Sequence, residues 1–170
     1  NDTIDSKGKE IKFKMYVLGI DIGSTASKAV IMTEKKEIYA KAMIPHGTGS
    51  AGPQKVFDKI LKESGLKRTD IKKILATGYG RFVFEQADSQ KSEISCHTKG
   101  MFFINPEIRT IIDIGGQDVK AIRLNDKGTI ANFTMNDKCA AGTGRFLENM
   151  AKVLDVQTED LGTLSEQATE

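Results

Sequence analysis

The chain has no tryptophan, and its eight phenylalanines and three tyrosines make an aromatic share of only 6%. A surface that reads unpaired bases stacks them on aromatic rings, so this scarcity argues against that class. Charge of one sign is missing too. Net charge is +2 with 28% charged residues, which leaves no basic footprint for nucleic acid. No apolar run approaches the roughly 20 residues that cross a bilayer. Residues 1–14 are polar and lysine-rich, with no apolar leader core. The two cysteines, Cys96 and Cys139, lie far apart and make no disulfide framework. The expectation is a soluble cytoplasmic protein without a nucleic-acid or membrane partner. Its 170 residues suffice for one domain or two small lobes.

What is present is a long repeat. Ile20-Asp21-Ile22-Gly23-Ser24-Thr25 is followed by Lys28-Ala29-Val30, and Ile112-Asp113-Ile114-Gly115-Gly116-Gln117 by Lys120-Ala121-Ile122. The offset of 92 residues, from Asp21 to Asp113, also aligns Ile38 with Ile130 and Met43 with Met135. Solenoid repeats recur every few tens of residues, so this period marks two related lobes. Each lobe presents a glycine-rich hairpin with a carboxylate at its base. Two such hairpins facing each other suit a polyphosphate and a magnesium ion held between lobes.

In the first copy, residues 15–23, 28–33 and 37–44 read as three strands of a meander, with the turn Glu34-Lys35-Lys36. Pro53 suits the first turn of a helix; Val56, Phe57, Ile60 and Leu61 share one face, and Gly65 stops it. A strand at 71–77 ends in Gly78-Tyr79-Gly80. Residues 81–87 predict a short helix and 92–103 another, closed by Asn105-Pro106. The second copy repeats the meander at 110–114, 119–124 and 129–135. Cys139-Ala140-Ala141-Gly142-Thr143-Gly144 follows, then a helix over 145–154 and a threonine-capped helix start at Thr158. The division expected is a polar extension over 1–14, a first lobe over 15–109, and the start of a second lobe over 110–170. The extension reads as solvated chain or a segment cut from a longer polypeptide. The second copy carries its meander and a helix but none of the later strands, so it is expected to be cut short.

Several residues carry candidate chemistry. A sharp turn rich in glycine lets backbone N–H groups approach phosphate oxygens. Gly23, Ser24, Thr25 and Lys28 in the first hairpin, and Gly115, Gly116 and Gln117 in the second, are the candidates. Asp21 and Asp113 can hold magnesium, often through its waters. Gln117 can orient an attacking water. The alternative is a pair of ordinary β-turns with buried aspartates on backbone amides. Gly47-Thr48-Gly49-Ser50-Ala51-Gly52 is a literal G-x-G-x-x-G, with Asp70 beyond it. A dinucleotide fingerprint would need a βαβ unit, and three meander strands precede this loop; a plain inter-element loop is the other reading. Cys139 stands before the Gly142-Thr143-Gly144 segment and a helix N-terminus, beside Lys138, a setting that favours thiolate. It is also the kind of small residue that simply packs. Cys96 and His97 are adjacent on a helix, point different ways, and read as packing residues.

Together these residues resemble the superfamily of actin, sugar kinases and heat-shock chaperone ATPases. They resemble more closely the ATP-dependent activators of 2-hydroxyacyl-CoA dehydratases, a family that includes the benzoyl-CoA reductase ATPase subunits. The resemblance rests on the two hairpins, on Ala76-Thr77-Gly78-Tyr79-Gly80-Arg81 and Ser92-Glu93-Ile94-Ser95-Cys96-His97, and above all on 135–146, Met135-Asn136-Asp137-Lys138-Cys139-Ala140-Ala141-Gly142-Thr143-Gly144-Arg145-Phe146. It implies an α/β fold of actin-like (ribonuclease H-like) ATPase lobes with mixed sheets. It implies ATP and Mg2+ at the hairpins, catalytic roles for Gln117, Asp21 and Asp113, and cofactor contacts from Gly142, Thr143 and Gly144. It implies a homodimer sharing one [4Fe-4S] cluster, with Cys139 matching one ligand. Its partners would be a dehydratase and a ferredoxin or flavodoxin. The rival readings are a sugar or amino-sugar kinase of the same fold and a non-catalytic ATP-binding lobe.

Overall fold

The computed structural model describes residues 15–169 and, of the segment before them, the backbone at 3–4 and 10–11. There β1 (Thr3–Ile4) pairs antiparallel with β2 (Glu10–Ile11). The remainder of the expected 1–14 extension lies outside the described residues. The chain forms two compact units, Asn1–Glu93 and Ile94–Glu170.

The first unit is built on β3 (Tyr16–Ile22), β4 (Ser27–Thr33), β5 (Ile38–Ile44), α1 (Gly52–Ser64), β6 (Ile71–Thr77) and β7 (Ser89–Gln90). Its sheet runs β5-β4-β3-β6-β7. The first three strands are antiparallel neighbours, while β6 lies parallel to β3 and β7 parallel to β6, so the sheet is mixed. Strand β3 alternates: Tyr16, Leu18, Ile20 and Ile22 are buried while Asp21 stands on the other side of the pleat. That period of two places a carboxylate beside a core strand without burying its charge in apolar surroundings. Helix α1 buries Val56, Phe57 and Ile60 against the strands and ends at Gly65, whose φ of 71° suits a left-handed cap. Burying such a side chain contributes about 1.5–3 kcal/mol of transfer free energy.

Residues 81–87 are not the short helix the sequence suggests. They make separate turns: the N–H groups of Arg81, Val83 and Ala87 donate to the carbonyls of Gly78, Gly80 and Phe84. Phe84 must reach the core, where its ring meets Phe57 edge-on at 5.4 Å. Gly80 is tied to β3 through its N–H on the Ile22 carbonyl at 2.8 Å. A regular helix does not meet both demands.

The second unit holds α2 (Glu93–Ile104) from its second residue on, β8 (Thr110–Ile114), β9 (Val119–Leu124), β10 (Ile130–Asn136), α3 (Gly144–Val153) and α4 (Leu161–Glu166). Its sheet is the antiparallel meander β10-β9-β8. Helix α2 joins this unit ahead of the second copy because Ile94 and Phe102 pack on Ile111, Ile122 and Leu124. The threonine cap expected at Thr158 is replaced: a 3-10 turn runs Thr158–Asp160, and the Asp160 carboxylate accepts from the Gln157 N–H at 3.2 Å. Among the described residues, no helix is long and apolar enough to cross a membrane.

Candidate functional site

The two hairpins share one geometry. The Gly23 N–H donates to the Ala26 carbonyl at 3.0 Å, and the Gly115 N–H to the Asp118 carbonyl at 2.8 Å. In each, the aspartate ending the first strand sits opposite a lysine in the second: Asp21 opposite Lys28, and Asp113 opposite Lys120. Each hairpin glycine also receives a hydrogen bond from a later glycine-rich loop. The Thr48 N–H donates to the Gly23 carbonyl at 2.8 Å, and the Gly144 N–H to the Gly115 carbonyl at 2.9 Å. A Cβ on Gly47 would overlap the Ser24 carbonyl, so this close approach needs glycine. The stretch 47–52 is therefore a clamp on the hairpin. It follows an antiparallel edge strand, which is not the βαβ setting of a dinucleotide fingerprint. Gly-Thr-Gly occurs at 47–49 and again at 142–144, a second repeat that the 92-residue offset hides because the spacing is 95.

The side chains around the two aspartates differ. In the first unit Lys28 Nζ lies 3.1 Å from Asp21 Oδ2, with the lysine side chain 49% exposed. The carboxylate's other oxygen faces Gly78, whose φ is 86° and where a Cβ would come within 2.5 Å of it. Thr77, in register with Asp21, buries its hydroxyl with no partner. A buried polar atom left so is costly unless a water, ion or ligand satisfies it. Asp21 with Thr77 thus suits a hydrated magnesium ion. Ser24 and Thr25 are half-buried at the tip.

In the second unit Lys120 is buried, its side chain 3% exposed. Its Nζ binds Asp118 Oδ2 at 2.6 Å and stands 3.7 Å from Asp113 Oδ2. His97 Nδ1 takes the same Asp113 oxygen at 2.6 Å. That hydrogen bond, helped by the His97 and Lys120 charges, holds the Asp113 carboxyl below its ordinary range against the opposing effect of burial. Both aspartates meet side-chain nitrogen donors. Gln117 is exposed at the tip, and Gly116 is half-buried. His97, read from sequence as packing, belongs to this cluster; Cys96 is half-buried. Lys120 was visible as the repeat partner of Lys28, yet only Asp118, which replaces Ala26 in the register, explains its burial.

Cys139 is exposed, ahead of α3. Thr143 caps that helix, accepting from the Phe146 N–H at 3.4 Å and donating to the Ala140 carbonyl at 2.6 Å. Its hydroxyl is fully buried and committed within the chain. Gly142, with φ 78°, is open. Among the described residues, no group of three or more His, Cys, Asp or Glu side chains converges to hold a metal. A single outward thiol fits one ligand of a group shared with other donors.

A mixed sheet with an Asp-Gly hairpin, repeated in a second unit, defines the class: a mixed α/β chain of the actin-like ATPase fold. The chain belongs to the BadF/BadG/BcrA/BcrD ATPase family, which matches residues 18–170. It is 61% identical to the activator of lactoyl-CoA dehydratase of Anaerotignum propionicum, over 92% of this chain and 60% of that protein. It superposes on the activator of the 2-hydroxyisocaproyl-CoA dehydratase from Clostridium difficile, solved with bound ADPNP, at a TM-score of 0.86. Identity there is 53%, over 92% of this chain and 58% of that one. For the (R)-2-hydroxyglutaryl-CoA dehydratase component A of Acidaminococcus fermentans the TM-score is 0.84 and identity 52%, covering 92% and 60%. The chain thus spans about 60% of the length of these three relatives.

Proposed function

We propose that this chain supplies the phosphate-binding hairpins and one cluster thiol of an ATP-dependent electron-transfer activator of a 2-hydroxyacyl-CoA dehydratase. The observation that carries the proposal is the matched pair of hairpins, each closed by the same glycine N–H bond and each with an aspartate opposite a lysine. Backbone N–H groups of Ser24, Thr25, Gly116 and Gln117 bind phosphate oxygens, and Lys28 adds charge from an exposed position. In the first unit Asp21 would hold Mg2+ through its waters, a fit supported by the unpartnered Thr77 hydroxyl in register with it; Asp113 is the matching carboxylate of the second unit. Bound Mg2+ neutralises phosphate charge. Gln117, exposed at its tip, orients the attacking water. Gly142, Thr143 and Gly144 shape the backbone between the second hairpin and Cys139.

Cys139 presents its thiol outward, which suits a [4Fe-4S] cluster ligated by two copies of the protein in a homodimer. Such a cluster, when bound, supplies a one-electron carrier. The partners that fit are the dehydratase and a ferredoxin or flavodoxin, in the cytoplasm. The test is nucleotide chemistry at the hairpins, in a chain of the relatives' full length. Gln117→Ala should lower the ATP hydrolysis rate about 10²-fold while the affinity for a non-hydrolysable analogue stays the same. An unchanged rate would remove Gln117 from the mechanism. Failure of the parent protein to bind ATP at all would sink the whole reading.

A further inference from the structure

Asn136 ends β10, and its carboxamide grips the backbone of Cys139 on both sides. Asn136 Oδ1 accepts from the Cys139 N–H at 3.2 Å and from the Lys138 N–H at 3.3 Å. Asn136 Nδ2 donates to the Cys139 carbonyl at 3.3 Å. Only a side chain with both a carbonyl and an NH2 group makes this set; a carboxylate offers acceptors alone. Cys139 itself is exposed, so no packing orients it.

The grip has a mechanical context. The backbone of Asn136 pairs with Val119, where β9 leaves the second hairpin. The other end of the loop is tied to the same hairpin. The Gly144 N–H donates to the Gly115 carbonyl at 2.9 Å, and the Arg145 N–H to the Gly116 carbonyl at 3.1 Å. Thr143, fully buried, closes the turn on Ala140. Residues 137–143 therefore form a bridge, both ends of which are bonded to the 115–119 hairpin. Free rotation along the bridge would uncouple the thiol from that hairpin, and the Asn136 carboxamide opposes it at Cys139 itself.

We propose that Asn136 is a positioning residue that fixes the Cys139 thiol relative to the second phosphate hairpin. The proposal rests on the reading of Cys139 as a cluster ligand, and goes beyond it in naming what holds the ligand in place. A substitution at Asn136 should release Cys139 and leave the sheet intact.

The experiment uses the cluster-free chain carrying Cys96→Ser, so that Cys139 is its sole thiol. Amide hydrogen exchange by NMR and the rate of alkylation by iodoacetamide are read together. Asn136→Ala should speed exchange at the Cys139 amide about five-fold, the loss of one modest hydrogen bond, with a similar change in alkylation rate. Amides of β8 and β9 should hold their rates. Asn136→Asp, which keeps the acceptor, should restore protection at the Cys139 amide. Unchanged rates at Cys139, or a uniform rise through β8 and β9, would overturn the proposal. In the protein of full length, after anaerobic reconstitution with iron and sulfide, Asn136→Ala should retain less iron at unchanged nucleotide affinity. If neither form took up iron, the cluster reading would fall, and the exchange rates would still decide the role of Asn136.

Discussion

The first hairpin keeps its lysine in solvent; the second has buried its own. Lys28 and Lys120 occupy the same place in the repeat, each opposite the strand-end aspartate. Lys28 has Asp21 at 3.1 Å and remains half exposed. Lys120 binds Asp118, where the first copy has Ala26, and stays 3.7 Å from Asp113, whose carboxylate His97 also engages. The same pair is thus a half-exposed ion pair in one copy and part of a buried network in the other. A charge near the surface can follow a phosphate ligand. A buried, hydrogen-bonded one sets the shape of the turn.

Removing the two lysines separately should give the largest difference between the hairpins. Lys120→Ala leaves Asp118 buried without its cation and should cost about 3–5 kcal/mol of stability. Lys28→Ala removes an exposed pair and should cost at most ~1 kcal/mol. Urea unfolding followed by circular dichroism measures both. Equal losses would show that the second network does not hold the fold.

The glycines sharpen the contrast at smaller scale. A Cβ on Gly115 would overlap the Asp118 carboxylate, which Lys120 prevents from moving aside. A Cβ on Gly23 meets the Ala26 carbonyl at 3.1 Å and the end of the flexible Lys28 side chain at 3.9 Å. Gly115→Ala is expected to destabilise by about 1–3 kcal/mol and Gly23→Ala by less than about 1 kcal/mol. Thermal melts of the two variants, compared with the parent, give the order.

The smallest effect is pH-dependent and belongs to the second hairpin. The Asp113 carboxyl is held below its usual 3.8, chiefly by the His97 hydrogen bond. A depressed carboxylate contributes stability that is complete above the unfolded value and is lost as pH falls through the folded one. The stability difference between the parent and His97→Ala should therefore be present above about pH 4 and shrink as pH falls through the folded Asp113 value. A difference that persisted undiminished into strong acid would mean that His97 acts through packing instead.

Much of this was legible before any coordinates. The strands at both hairpins, the face of α1 and its Gly65 stop follow from period and cap residues, which depend on near neighbours in the chain. The misread elements depended on distant ones. Residues 81–87 carry helix-like composition, yet Phe84 is pulled to Phe57 and Gly80 to Ile22. His97 sits on a helix whose sequence gives no sign of its target, because Asp113 is placed beside it only when Ile94 and Phe102 dock on the sheet.

By itself, the sequence determined the repeat, the residue types in each turn and the family, since these are written in order along one dimension. Tertiary structure decided which of two equivalent lysines is buried, that His97 engages Asp113, and that Asn136 holds Cys139. The physical reason is that burial and hydrogen-bond partners are relations across space. An alanine in one copy and an aspartate in the other change the neighbourhood of a lysine only when folding brings the side chains within reach.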